Sequence, residues 1–440
     1  MAEEVSSFSD FPEDVQLCIL SFLSPAEIAN FALTSKRFSP LCRDDSKLWH
    51  SLCDRRWGSK TQIHKWGDGK ISYRLLHRTL SRWDHLIGFW RRCGQSRQRH
   101  ISPPSLLFFE WGPSFVSGSR VSPASSRDSS SPSSSYGVSK APFLFMTLGP
   151  DGQVVNYINP DGQDGKEDVD LIGVSVDFIG DTHFSVEENL SFAPARSGSG
   201  SGSPNSKVEE GEDTAAVESG SPGSLPGTSE LYQYYANKTS PGAVRKQRRK
   251  DKERLGKRRW ETEHFLKIMD SSPTPNRPLQ GLWKGICDDM RLEFYLVAYD
   301  GAGISCRRVG DLAERFSSSM PVFWTSNPTF VESPFSAEEV SLYDGRAHIR
   351  PPEPASDLQL KCPSLDEEVV SRIMYINSSY DLVIPNLAET SAHPWRVEGR
   401  IWQYSDGTFG FGFLRDNFIV DLKHVAQDGH LLDTMMLGND

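Results

Sequence analysis

The sequence predicts an α+β protein: an N-terminal helical module followed by a mainly antiparallel β-barrel-like domain, interrupted by disordered loops and a basic helix. Three observations predict it. Residues 10–82 carry apolar side chains at helical spacing, 83–193 and 279–437 carry short runs of β type, and the serine- and glycine-rich stretches among them are too polar to form a core. At 440 residues the chain has room for roughly two or three folded units.

The helices come first in the chain. Phe11-Pro12 precedes a stretch whose apolar residues Val15, Cys18, Ile19, Phe22 and Leu23 repeat at i, i+3, i+4, i+7 and i+8, the spacing of one helical face. Pro12 suits the first turn, where its missing N–H has no partner to lose. Ser24-Pro25-Ala26-Glu27 combines a capping box with proline at the first helical position, so a second helix carrying Ile28, Phe31 and Ala32 begins there. Leu48, Trp49, Leu52 and Cys53 form a third apolar set, and Ile71, Leu75, Leu76, Leu80 and Trp83 a further helix.

Strands are expected at 86–92, 105–111, 142–148, 153–158, 171–179, 280–287, 291–299, 303–309, 373–384, 395–404 and 408–414. Asp151-Gly152 and Asp406-Gly407, each between apolar runs, mark hairpin turns. Leu86-Ile87-Gly88-Phe89-Trp90 and Leu279-Gln280-Gly281-Leu282-Trp283 share a pattern, and each begins a set of strands. The expectation is that the two β-rich segments contribute similar strands to one sheet, whose edges closure into a barrel would protect.

The polar stretches set the boundaries. Residues 117–135 contain 11 serines and read as a disordered loop; 195–240 reads as a flexible linker. Ten arginines and lysines between Arg245 and Arg259 face only Asp251 and Glu253, which suggests a solvated basic helix over 241–268. The expected order is therefore a helical module at 8–55, a helical extension at 56–83, the first part of the β-domain at 84–194, the linker, the basic helix, and the second part of the β-domain at 275–437. The basic run suits a nuclear import signal or a helix lying against the acidic remainder, and less well nucleic acid, since no aromatics are interleaved for stacking.

Composition excludes several functions. Net charge is −10, so the chain as a whole repels nucleic acid and anionic lipid. No run approaches the roughly 20 apolar residues of a membrane span, and the acidic leader lacks the blocks of a signal peptide, so nucleus, cytoplasm or both are expected. Seven cysteines without a C-x-x-C argue for reduced thiols over disulfides or a zinc finger. No phosphate loop, zinc-protease helix or nucleophile elbow is present. The run Asn159 to Gly165 has Asp164 where a calcium loop needs glycine, and His393 stands alone before Trp395. No cofactor, metal or catalytic residue is expected.

The segment FPEDVQLCILSFLSPAEIANFALTSKRFSPLCRDDSKLWHSLC resembles an F-box. The resemblance rests on Phe11-Pro12 for the usual Leu-Pro opening, on Ile19 to Leu23, and on the closing Leu48, Trp49 and Leu52. It implies a three-helix module that docks on a Skp1-type adaptor and thereby joins a cullin ubiquitin ligase, with Phe11, Pro12, Val15, Ile19, Leu20, Leu23, Ile28, Leu33, Trp49 and Leu52 as docking residues. Physics supports such a use: about 45 residues cannot bury all these apolar side chains alone. Two later segments, PLQGLWKGICDDMRLEFYLVAYDGAGISCRRVGD and PWRVEGRIWQYSDGTFGFGFLRDNFIVDLKHV, are similar to the β-barrel of the F-box proteins that bind cyclin D1.

The expected function is thus a substrate receptor of a Skp1–cullin–F-box ubiquitin ligase, itself performing no bond chemistry, with a protein substrate whose identity the residues do not name. Candidate substrate contacts at a barrel mouth are the aromatics Trp283, Tyr295, Trp324, Trp395 and Trp402 and the arginines Arg291, Arg307, Arg308 and Arg400, the latter suited to carboxylate or phosphate. Two rival readings are a small-ligand-binding barrel and a nuclear scaffold that uses the basic segment.

Overall fold

The computed structural model describes residues 8–93, 106–124, 137–159, 171–189, 260, 262–269, 271–286, 291–301, 303–309, 322–350, 369–379, 396–427 and 429–435. Its N-terminal helices are α1 (Glu13–Leu20), α2 (Pro25–Thr34), α3 (Phe38–Arg43) and α4 (His50–Trp57), with a wide helical turn at Asp45–Trp49. Pro12 occupies the N-cap of α1 with φ −54° and ψ 150°, one place before the expected first turn. The capping box of α2 forms as expected: Ser24 N–H donates to Glu27 Oε2 at 2.7 Å and Glu27 N–H to Ser24 Oγ at 3.3 Å. These helices close around Leu17, Leu20, Ile28, Cys42, Leu48, Trp49 and Leu52.

Helix α5 (Tyr73–Trp83), capped by Ser72, belongs to the next layer. Its buried Leu76, Leu80 and Trp83 join Trp57 and Trp66 in a core that runs without a break into the first barrel. Thr61 Oγ1 donates to Gly112 O at 2.6 Å and Gln62 N–H to Pro113 O at 2.8 Å, which ties the extension to a barrel turn.

The β region consists of two barrels, which corrects the expectation of one. The first is a meander of β1 (Gly88–Cys93), β2 (Leu106–Trp111), β3 (Val116–Pro123), β4 (Val138–Leu148), β5 (Val154–Ile158), β6 (Ile172–Gly180), β7 (His183–Glu188) and β8 (Glu263–Lys267). Each strand is antiparallel to the next, and β8 closes on β1 with Trp90 opposite Lys267. The second runs through β9 (Gly281–Ile286), β10 (Leu292–Asp300), β11 (Gly303–Val309) and β12 (Val322–Glu332). After α6 (Ala337–Asp344) and β13 (Ala347–Ile349) it continues through β14 (Val370–Ser379), β15 (Arg396–Tyr404), β16 (Phe409–Phe413) and β17 (Phe418–His424), which closes on β9. Each barrel thus has eight strands in chain order. The short strand β13 adds to β17 in parallel. Past a small ribbon, β18 (Ala426–Gln427) with β19 (His430–Leu431), the strand β20 (Thr434–Met435) crosses to pair with β4 of the first barrel.

The shared glycine-tryptophan pattern is the start of each barrel. Trp90 Nε1 donates to Leu86 O at 2.6 Å and Trp283 Nε1 to Leu279 O at 2.8 Å. Gly88 and Gly281 have φ of +113° and +141°, backbone that L side chains rarely adopt, so each motif turns the chain so that its indole bonds back to the carbonyl four residues earlier.

Two further expectations change. Residues 117–123 of the serine-rich stretch lie in β3, where Gly118 makes room for the Phe109 ring and Ser119 is buried. Residues 263–267 at the end of the expected basic helix form β8, because Phe265 stacks on Phe184 inside the barrel at 5.1 Å between centroids. The rest of the basic run, from Arg245 to Arg259, lies outside the described residues, as does the linker.

Candidate functional site

Helix α1 separates its apolar residues into two stripes. Leu17 and Leu20 point into the module, whereas Phe11, Val15, Ile19 and Phe22 are 41%, 40%, 42% and 74% exposed and follow one another at helical spacing. Leu33 near the end of α2 is 86% exposed. Arg55 of α4 holds this surface from behind: it donates to Ser21 O, and its guanidinium lies over the Phe22 ring at 5.2 Å. Gln16, buried, donates to Phe8 O and Phe11 O at 2.9 Å and fixes the entry to the helix.

The ten expected docking residues therefore divide. Phe11, Val15, Ile19 and Leu33 are presented to solvent, Pro12 caps the helix that presents them, and Leu23 is half-buried. Leu20, Ile28, Trp49 and Leu52 lie in the module's interior, so they support the surface without forming it. Trp49 also donates its indole N–H to Cys42 O at 3.0 Å. Phe22 and Cys18, both exposed, extend the stripe beyond the expected set; the signal for them was their place one turn from Ile19 and Val15.

The barrel residues need a larger correction. Trp283, Tyr295 and Trp324 face the interior of the second barrel, packed against Phe409, Phe411, Met374 and Ile401. Eight strands leave an interior just wide enough for side chains, and here they fill it. Trp402 is on the opposite face of its strand, under α6, with Tyr404, Ile419 and Tyr343. Arg400 lies on the same wall and clasps Glu339 of α6, its Nε 3.0 Å from both carboxylate oxygens, with both side chains about 15% exposed. Arg308 pairs with Glu293 at 3.0 Å, and its guanidinium lies 4.3 Å from the Phe323 ring centre. These groups hold the barrel together. Arg307 is half-buried, Arg291 is exposed, and Trp395 falls outside the described residues. Among the described residues, one surface that the second barrel offers to solvent is the outer half of β12, where Asn327 to Glu332 are all exposed, with Phe330 under Arg372 and, on β14, Tyr375 under Arg400.

Among the described residues no group of three or more histidines, cysteines and carboxylates is placed to hold a metal, and no helix is long and apolar enough to cross a membrane. The arrangement is one of surfaces: a small helical module with an unburied apolar stripe, joined through a tryptophan-rich core to paired barrels.

Residues 8–55, the helical module that carries the exposed stripe, match the family described as F-box-like. The F-box protein At3g12350 of Arabidopsis thaliana is 47% identical over 448 residues, spanning 98% of this chain and 99% of that protein. The chain belongs to the F-box protein family.

Proposed function

We propose that this protein is the substrate-recognition subunit of a Skp1–cullin–F-box ubiquitin ligase, with the α1 stripe on the adaptor and the barrels on a protein substrate. The observation that carries the proposal is the stripe itself: four large apolar residues at helical spacing on a folded module that leaves them in water. Three of the four are already more than half buried, so covering what remains exposed is worth about 0.5–2 kcal/mol for each side chain. Ubiquitin transfer then arises from proximity, because a tethered substrate meets the charged enzyme at a high effective concentration. The filled interior of the second barrel removes the room that a small-ligand carrier needs. Whether the substrate side extends to the cyclin-D1-binding type belongs to the same proposal and rests on the similarity of the β9–β11 and β15–β17 segments.

The test is co-purification with Skp1 and cullin. Ile19→Asp with Phe22→Asp is expected to weaken adaptor binding at least 100-fold while the protein keeps a cooperative melting transition, since neither side chain lies in the module's core. Retention of the adaptor by this double variant overturns the proposal.

A further inference from the structure

A groove of about 550 Å³ lies between the docking module and α5, outside the surfaces used above. Pro25 at the start of α2 and Leu75 give it apolar walls, and Arg74 and Arg78 line it one helical turn apart, with His77 between them. Both arginines are exposed, and neither has an acidic partner among the described residues. Asp45, from the Asp45–Trp49 turn, accepts on its two oxygens from the backbone N–H groups of Tyr73 and Arg74 at the start of α5, each at 2.9 Å. Elsewhere Arg56, Arg308 and Arg400 each have a carboxylate within 3.0 Å. Two like charges at i and i+4 disfavour each other, and an anion between them relieves that repulsion.

The groove is also held in shape. The Arg74 guanidinium lies over the Trp49 ring at 5.5 Å, which orients its fork. His77 is 7% exposed, with the Trp49 and Trp57 rings edge-on at 5.6 and 5.1 Å and Ser81 Oγ 3.4 Å from its Nδ1. Burial, and then the charge of Arg56, hold its pKa below the ordinary value, so at neutral pH the positive charge of the groove comes from the two arginines. A carboxylate brings one charge and two acceptor oxygens. A phosphate monoester brings nearly two charges and three oxygens, which matches two guanidinium forks. The volume falls in the range of small-molecule sites.

We propose that this groove binds a small phosphate monoester, with the phosphate between Arg74 and Arg78 and the organic group against Pro25 and Leu75. The inference goes beyond the receptor reading and does not depend on it.

Calorimetric titration of the full-length chain at low salt tests it, with phenyl phosphate, inorganic phosphate, benzoate and a blocked Gly-phosphoserine-Gly tripeptide as probes. Phenyl phosphate is expected to bind at least tenfold more tightly than each of the others. Arg74→Ala with Arg78→Ala is expected to weaken it at least 30-fold, and Arg78→Lys, which keeps the charge and loses the fork, about fivefold to tenfold. Equal binding of phenyl phosphate and benzoate, or unchanged binding in the arginine variants, overturns the proposal. Tighter binding of the tripeptide overturns the small-molecule assignment. If the double variant melts early, Arg78→Gln alone is decisive, because that side chain is exposed and supports no packing; unchanged affinity there also overturns the inference.

Discussion

Ile19 and Leu20 are neighbours in sequence and opposite in consequence. Ile19 lies on the water-facing stripe of α1, while Leu20 is 1% exposed in the module's core. Leu20→Ala is therefore expected to cost about 2–5 kcal/mol of stability in a denaturant titration, and its loss of adaptor binding to follow from unfolding. Thiol chemistry separates the same two environments. Cys18 is exposed beside the α1 stripe, whereas burial, reinforced by Asp45 and Asp54, pushes the Cys53 thiol up to about 12. N-ethylmaleimide at pH 7.5 is expected to label the exposed Cys18 and spare the buried Cys53 by mass spectrometry, and the labelled protein to lose its adaptor. The periodicity made α1 legible as a helix, but both stripes are apolar. Which one the module buries depends on Ile28, Leu48 and Trp49 arriving from other helices, and a single helix's spacing does not encode that.

His77 sets a pH dependence at the same scale. Its pKa is lowered from 6.5, first by burial and then by Arg56; those of His85 and His424 are lowered too, in each case first by burial. A base with a depressed pKa in the folded state binds fewer protons there than in the unfolded chain, so its contribution is complete above about pH 6.5 and is lost as pH falls through the folded value. The denaturation midpoint is expected to fall between pH 6.5 and 5, and less steeply in His77→Gln. An unchanged slope in that variant assigns the effect to His85, His424 and other groups.

At the scale of elements, the strands read from alternation stand within a few residues of their observed positions, except that 380–384 lies outside the described residues, and both Asp-Gly turns form. Gln153 N–H donates to Asp151 Oδ1 at 3.0 Å and Thr408 N–H to Asp406 Oδ1 at 2.8 Å, the side chains acting as extra turn acceptors. The barrel strands missed are β3, β7, β8, β12 and β17, and three of them share a cause. Those at β3, β8 and β12 carry serine, charge or Pro328, residues whose local preference is against strands, and pairing on both sides overrides it. Without them neither half has enough strands to close. The shared motif held the remedy, since a barrel-opening device used twice implies two openings. Trp90→Phe and Trp283→Phe, which keep a ring and remove the indole donor, are expected to destabilise by similar amounts, about 1–3 kcal/mol each, by thermal melting. A strongly unequal pair counts against equivalent roles.

The whole molecule is held by contacts that no local pattern announces. Phe89, Phe108, Val121 and Val138 on the outside of the first barrel share a cluster with Leu282, Ile286, Leu292, Phe294 and Val309 on the outside of the second. In sequence these residues read as ordinary strand positions, because a strand apolar on both faces does not say what covers the second one. The chain after β17 reinforces the junction: Val138 N–H donates to Asp433 O at 2.9 Å, and the buried Lys284 Nζ reaches Asp433 Oδ2 at 2.6 Å and Leu432 O at 3.2 Å. Phe294→Ala is expected to cost about 3–5 kcal/mol and to split a single calorimetric transition into two as the barrels uncouple. One unchanged, symmetric transition rules out a role for this cluster in coupling them.

Helix α4 gives Leu52 to the core of the N-terminal module and Cys53 and Trp57 to the core that continues through Trp66 and Trp83 to Trp90, so one helix joins the module to the first barrel. In a receptor, a stiff joint acts as a ruler. The distance from adaptor to bound target is then set by this chain, so the lysines open to modification are those that the target's own geometry carries to a fixed point. Selection among them is made by reach, without contact to any lysine.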